Sequence, residues 1–136
     1  MAEKVLVADD EPFILRSLSF VLERAGFEVV QARNGEEALE GLRNHRPRAC
    51  VLDVMMPLRS GFEVCEVVKG DPDLRDTYVI LLTAKGQESA RARGLRSGAD
   101  EYMTKPFSPS RIVERIREVL AAVPTPQSEA ATEEVR

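Results

Sequence analysis

The chain has 136 residues, of which 43% are hydrophobic and 31% charged, with a net charge of −4 and a single histidine. That length holds one domain with a real core and a little extra. No basic block marks a nucleic-acid surface, and no apolar run approaches the roughly 20 residues of a membrane span, so a cytoplasmic protein is expected.

The first apolar run, Lys4-Val5-Leu6-Val7-Ala8, reads as a strand closed by Asp9 and Asp10. A helix opens at Pro12, a residue suited to the first helical position. It places Ile14, Leu15, Leu18, Val21, Leu22 and Ala25 on one stripe and stops at Gly26. Residues 27–31 form the second strand. The second helix starts at Asn34, with Glu37 in capping-box position, and carries Ala38, Leu39 and Leu42. His45 follows in a polar stretch and is expected at the surface. The third strand, Ala49-Cys50-Val51-Leu52, is closed by Asp53. Ser60 and Glu63 repeat the capping signature ahead of a helix bearing Phe62, Val64, Val67 and Val68. Cys50 and Cys65 have neither metal-type spacing nor a disulfide framework and are expected to be inert thiols.

The fourth strand, Val79-Ile80-Leu81-Leu82, ends at Thr83. Residues 87–97 predict a weaker helix, with only Ala90, Ala92 and Leu95 on its stripe and Gly94 inside it, a candidate moving part. A short fifth strand around Tyr102-Met103 leads to Lys105-Pro106. Ser108 as cap and Pro109 at the first position open a last helix with the stripe Ile112, Val113, Ile116, Val119 and Leu120. Residues 1–122 are expected to form the domain. Residues 123–136 are polar and aperiodic, a flexible tail or truncated linker.

The strands are continuous apolar runs, which means burial on both faces and therefore a parallel sheet. Five β/α repeats give an α/β fold with a doubly wound five-stranded parallel sheet. The last residues of parallel strands share one edge, where open α/β sheets bind ligands. Asp9, Asp10 and Asp53, the Thr83 hydroxyl and the Lys105 ammonium would converge there. Three close carboxylates repel one another unless a cation intervenes, and all-oxygen ligands of this kind suit Mg²⁺. Asp9 and Asp10 could instead cap the Pro12 helix, and Thr83 could be a β-branched strand end. Asp53 and Lys105 at neighbouring strand ends argue for the site.

Asp9-Asp10, Asp53 followed by Met55-Met56-Pro57 and Gly61, Thr83-Ala84, and Tyr102-Met103-Thr104-Lys105-Pro106-Phe107 resemble the receiver domain of bacterial two-component response regulators. The resemblance covers about residues 3–122. It is nearest in motif detail to the branch that carries winged-helix DNA-binding domains. It implies a flavodoxin-like (βα)5 fold of strand order 2-1-3-4-5, with the Lys105-Pro106 peptide usually cis. It also implies Asp53 as phosphoacceptor, Mg²⁺ held by Asp10, Asp53 and the backbone carbonyl of Met55, and Asp9 acting through water. Lys105 would contact the phosphoryl oxygens. Thr83 would hydrogen-bond the phosphoryl group, and Tyr102 would change rotamer with it.

The function expected on that resemblance is a phosphorylation-dependent signalling switch, not an enzyme. It would be charged by a sensor histidine kinase, a phosphorelay or a small-molecule donor. Its output would go to an unidentified effector or partner protein, with no nucleic-acid or membrane contact of its own. The chain could equally be the receiver part of a longer DNA-binding regulator. A Mg²⁺-dependent phosphohydrolase is a second reading. Such enzymes typically carry an acid two residues after the nucleophile, and Met55 stands there instead. In the resembled branch, active receivers often pair through the fourth helix, fifth strand and fifth helix using ion pairs. Arg91, Asp100 and Arg115 match that pattern, but Arg111 would oppose Arg91, and Ala122 replaces the arginine expected opposite Glu101. A monomer, or a dimer of different geometry, is therefore expected.

Overall fold

The apolar runs become five parallel strands, β1 (Lys4–Ala8), β2 (Glu28–Ala32), β3 (Ala49–Asp53), β4 (Tyr78–Thr83) and β5 (Glu101–Thr104). They are seen in a computed structural model that describes residues 2–83 and 97–122. The strands pair in the order β2-β1-β3-β4-β5, as expected. Four helices lie among the described residues: α1 (Pro12–Arg24), α2 (Gly35–His45), α3 (Gly61–Gly70) and α4 (Pro109–Ala122). The helix expected over residues 87–97, apart from its last residue, and the tail over 123–136 lie outside the described residues.

Strand side chains alternate between two cores, because successive residues of a strand face opposite sides of the sheet. Val5, Val7, Val51, Ile80 and Leu82 pack against Leu15, Leu18 and Leu22 of α1 and Ile112 and Ile116 of α4. Leu6, Ala8, Cys50, Leu52 and Leu81 pack on the other face with Leu39 and Leu42 of α2 and Val64 and Val68 of α3. Both cysteines are buried and unpaired to each other, and His45 is exposed.

The helix starts follow the capping signals, with one shift. Ser60 and Glu63 form a complete capping box at α3, in which the Ser60 hydroxyl accepts from Glu63 N and the Glu63 carboxylate accepts from Ser60 N. At α2, Asn34 Oδ1 accepts from Glu37 N at 2.8 Å, but the Glu37 carboxylate reaches Arg33 N rather than Asn34 N. Helix α1 has no side-chain cap of its own. Gly26 ends it at φ +100, a conformation that side chains disfavour.

The second strand departs from expectation. It runs one residue later, and its outer positions Glu28 and Gln31 are exposed. It is an edge strand with β1 as its one neighbour, and its Val29 and Val30 are only partly buried, against opposite cores. Ser19 was absent from the expected α1 stripe yet is buried there. Its hydroxyl donates to Leu15 O at 2.7 Å and accepts from Gln31 Nε2 at 2.8 Å.

Candidate functional site

The carboxyl ends of the strands bring the expected groups together. Asp9 follows β1 directly, and its backbone N–H extends the ladder to Ala32 O at 3.1 Å. Asp53 is the last residue of β3 and Thr83 the last of β4. Lys105 follows β5, its N–H donating to Thr83 O at 2.7 Å, and the Lys105-Pro106 peptide is cis. Asp9 and Thr83 are 0% exposed and Asp53 is 5% exposed, whereas Asp10 faces solvent. Asp9, Asp10 and Asp53 each place a carboxylate oxygen within 4.8 Å of the others.

Lys105 Nζ lies 3.5 Å from Asp9 Oδ2 and 3.4 Å from Asp53 Oδ2. The remaining oxygens look to the backbone. Asp9 Oδ1 accepts from Glu11 N at 2.9 Å, and Asp53 Oδ1 accepts from Met55 N at 3.3 Å. Asp9 Oδ2 is buried and, although in ion-pair range of Lys105, makes no hydrogen bond. One ammonium therefore serves two buried carboxylates, with Asp10 as a third acid close by. The Asp53 carboxyl is pushed up to about 6, chiefly by burial and then by the charge of Asp9, with Lys105 and the Met55 N–H pulling the other way. An orphaned buried oxygen, and acids held close enough to share one ligand, fit a hard divalent cation. The pocket of Asp9, Asp10 and Asp53 can hold a metal ion.

Gly61 sets the depth of the site. A Cβ there would lie 2.5 Å from Asp53 O and 2.9 Å from Val54 Cα. The first turn of α3 thus packs straight onto the end of β3, tied by a Gly61 N to Val54 O bond at 3.1 Å. The intervening loop carries Met55, 66% exposed, and Leu58, 73% exposed. Leu58 adopts φ 71, a left-handed conformation that nothing in its sequence signals. Tyr102 is half-buried and packs against the α2–α3 side of the sheet.

Three residues at this edge were not singled out from the sequence. Arg16, Gln31 and Arg33 join Asp9 and Asp10 in lining an open cleft of about 480 Å³. The available signal was positional. Arg16 lies one turn beyond Pro12 at the site end of α1, and Arg33 directly follows β2.

A parallel sheet in this order, with acids, a threonine and a lysine at its carboxyl edge, defines a flavodoxin-like α/β domain built around an acidic site. A model of the response regulator receiver domain matches residues 5–117, and the chain belongs to that family. It is 40% identical over 137 residues to the alkaline phosphatase synthesis transcriptional regulatory protein PhoP of Bacillus subtilis, covering 99% of this chain and 56% of that protein. It is 42% identical over 135 residues to the phosphate regulon transcriptional regulatory protein PhoB of Escherichia coli, covering 99% of this chain and 57% of that protein. The high-resolution structure of the chemotaxis response regulator CheY4 of Vibrio cholerae superposes with a TM-score of 0.81 at 32% identity, over 88% of this chain and 100% of that one. The chain therefore spans a little over half the length of the two curated relatives. Those relatives agree with the winged-helix branch that its motifs resemble.

Proposed function

We propose that this receiver domain is a switch thrown by phosphorylation of Asp53. The observation that carries the reading is the pair of buried carboxylates, Asp9 and Asp53, sharing the single Lys105 ammonium at 3.5 and 3.4 Å, with one Asp9 oxygen left without a hydrogen bond. Residues 1–122 form the switch, and 123–136 serve as tail or linker. Asp10, Asp53 and the backbone carbonyl of Met55 would hold Mg²⁺, with Asp9 acting through water. When bound, that ion supplies the positive charge that three carboxylates and an incoming phosphoryl group require.

The chain's own groups do the rest. Asp53, at the carboxyl end of β3, is the nucleophile. Lys105 is held near both acids and can neutralise phosphoryl oxygens. The Thr83 hydroxyl, one strand over, binds the phosphoryl group once it is on Asp53. The half-buried Tyr102 follows the space that Thr83 vacates. The local charge change is thereby passed to the face around β5 and α4. A sensor histidine kinase is the donor, and an effector or partner protein reads that face in the cytoplasm. The site favours a switch over a phosphohydrolase, since the exposed Met55 cannot move protons.

The test is labelling. Acetyl phosphate or beryllofluoride should modify the protein only in Mg²⁺-containing buffer, and Asp53→Ala should abolish the response. Undiminished labelling of that variant would remove Asp53 from the role. Steady turnover of phosphate esters would favour the hydrolase instead.

A further inference from the structure

The cleft beside the acids has a lining of both signs. Asp9 and Asp10 share it with Arg16, Arg33 and Gln31, around a space of about 480 Å³. The Gln31 amide is committed to Ser19 Oγ at 2.8 Å. Neither guanidinium makes a hydrogen bond or ion pair among the described residues. This sets them apart from Arg48, Arg59 and Arg115, which are paired with Glu3, Glu36 and Glu101. Two unpaired cations therefore share a concave surface with the acid cluster.

That placement answers an electrostatic difficulty. A small phosphodonor is an anion, and three carboxylates balanced by one lysine and one divalent cation carry no net positive charge to attract it from a distance. Guanidiniums on the wall of the same cleft place positive charge there and raise the local anion concentration. We propose that Arg16 and Arg33 form an anion-capture subsite that draws small acyl phosphates into the acid site. In the transfer that follows, the phosphorus–oxygen bond to the acyl group breaks as the bond from Asp53 Oδ forms. The leaving carboxylate keeps the electron pair. Arg16 and Arg33 are specificity residues in this scheme, acting before chemistry. The proposal rests on Asp53 being the acceptor.

Phosphorylation rates with acetyl phosphate and with the less highly charged phosphoramidate would be compared for the parent, Arg16→Gln/Arg33→Gln and Arg16→Lys/Arg33→Lys, at low and high salt in Mg²⁺. The glutamine pair is expected to lose roughly tenfold in kcat/KM for acetyl phosphate at low salt, mostly in KM. It should lose markedly less with phosphoramidate, and its salt dependence should flatten. The lysine pair should retain most of the rate, since charge rather than shape is at work. An unchanged acetyl phosphate rate in the glutamine pair, or an equal loss with both donors, would overturn the subsite. A parent protein that is never labelled would instead overturn the assignment of Asp53.

Discussion

At the scale of single residues, the site is poised by charge that lacks a counter-ion. Asp53 titrates at about 6 instead of 3.8, because burial and the neighbouring Asp9 both oppose its ionisation. A carboxyl whose folded value is raised adds stability that is fully present below its unfolded value and is lost as pH rises through about 6. In a chelator at neutral pH, Asp53→Asn is thus expected to be more stable than the parent, by at most about 3 kcal/mol. The advantage should shrink toward zero as the pH falls to roughly 4. Urea unfolding of both proteins across that range checks the sign. Added Mg²⁺ should raise the melting temperature of the parent and barely move that of the variant. A parent that matches the variant at neutral pH in chelator would show that the acids are not in conflict.

Among the elements, the loop between β3 and α3 shows where local sequence rules hold and where they yield. The Ser60–Glu63 capping box formed as its spacing predicts, whereas Asn34 and Glu37 at the same spacing closed only the Asn34 half, the Glu37 carboxylate reaching Arg33 N instead. Leu58 carries no comparable signal, yet sits at φ 71 with 73% of its surface exposed. Left-handed backbone costs an ordinary side chain about 1 kcal/mol, and an exposed leucine loses little packing. Leu58→Gly is therefore expected to raise stability by up to about 1 kcal/mol, read as a higher urea midpoint. Gly61→Ala should act in the opposite sense. Its Cβ would meet backbone atoms of Asp53 and Val54, which cannot rotate away as a side chain would. A loss of about 1–3 kcal/mol is expected, together with slower phosphorylation as the Asp53 backbone shifts. Normal labelling by Gly61→Ala would show that the depth of the site is not set there.

For the molecule as a whole, Asp100, Glu101 and Arg115, three of the charges considered for a dimer face, are engaged within the chain. Glu101 Oε1 accepts from Arg115 Nε at 2.5 Å and from the Tyr78 hydroxyl at 2.7 Å. Asp100 Oδ2 accepts from Lys69 Nζ at 2.7 Å and from Val79 N at 2.8 Å. Lys69 also donates to the carbonyls of Arg75 and Thr77. Recruiting Asp100 or Arg115 to a second copy would break these bonds for exposed pairs worth about 1 kcal/mol or less. Arg91, expected to meet Arg111 at such an interface, lies outside the described residues. Light scattering is expected to give a monomer with and without beryllofluoride. A symmetric activated dimer through β5 and α4 would show that the intrachain pairs are easily exchanged.

Sequence by itself determined the alternation of strands and helices, the parallel sheet, and the placing of Asp9, Asp10, Asp53, Thr83 and Lys105 at the carboxyl ends of the strands. Each rests on a short-range pattern, an apolar run with its closing residue, and parallel strands place such ends on one edge. The resemblance of the motifs added the strand order. Tertiary structure alone decided that Asp9 is fully buried while Asp10 is exposed, though the two are adjacent and chemically identical. It also decided that β2 is an edge strand, that Lys69 is enclosed by three oxygen acceptors, and that Arg16 and Arg33 stand unpaired beside the acids. The physical reason is range. Burial, desolvation and ion pairing depend on which segments distant in the chain come to lie against one another, and no local pattern of residue types encodes that.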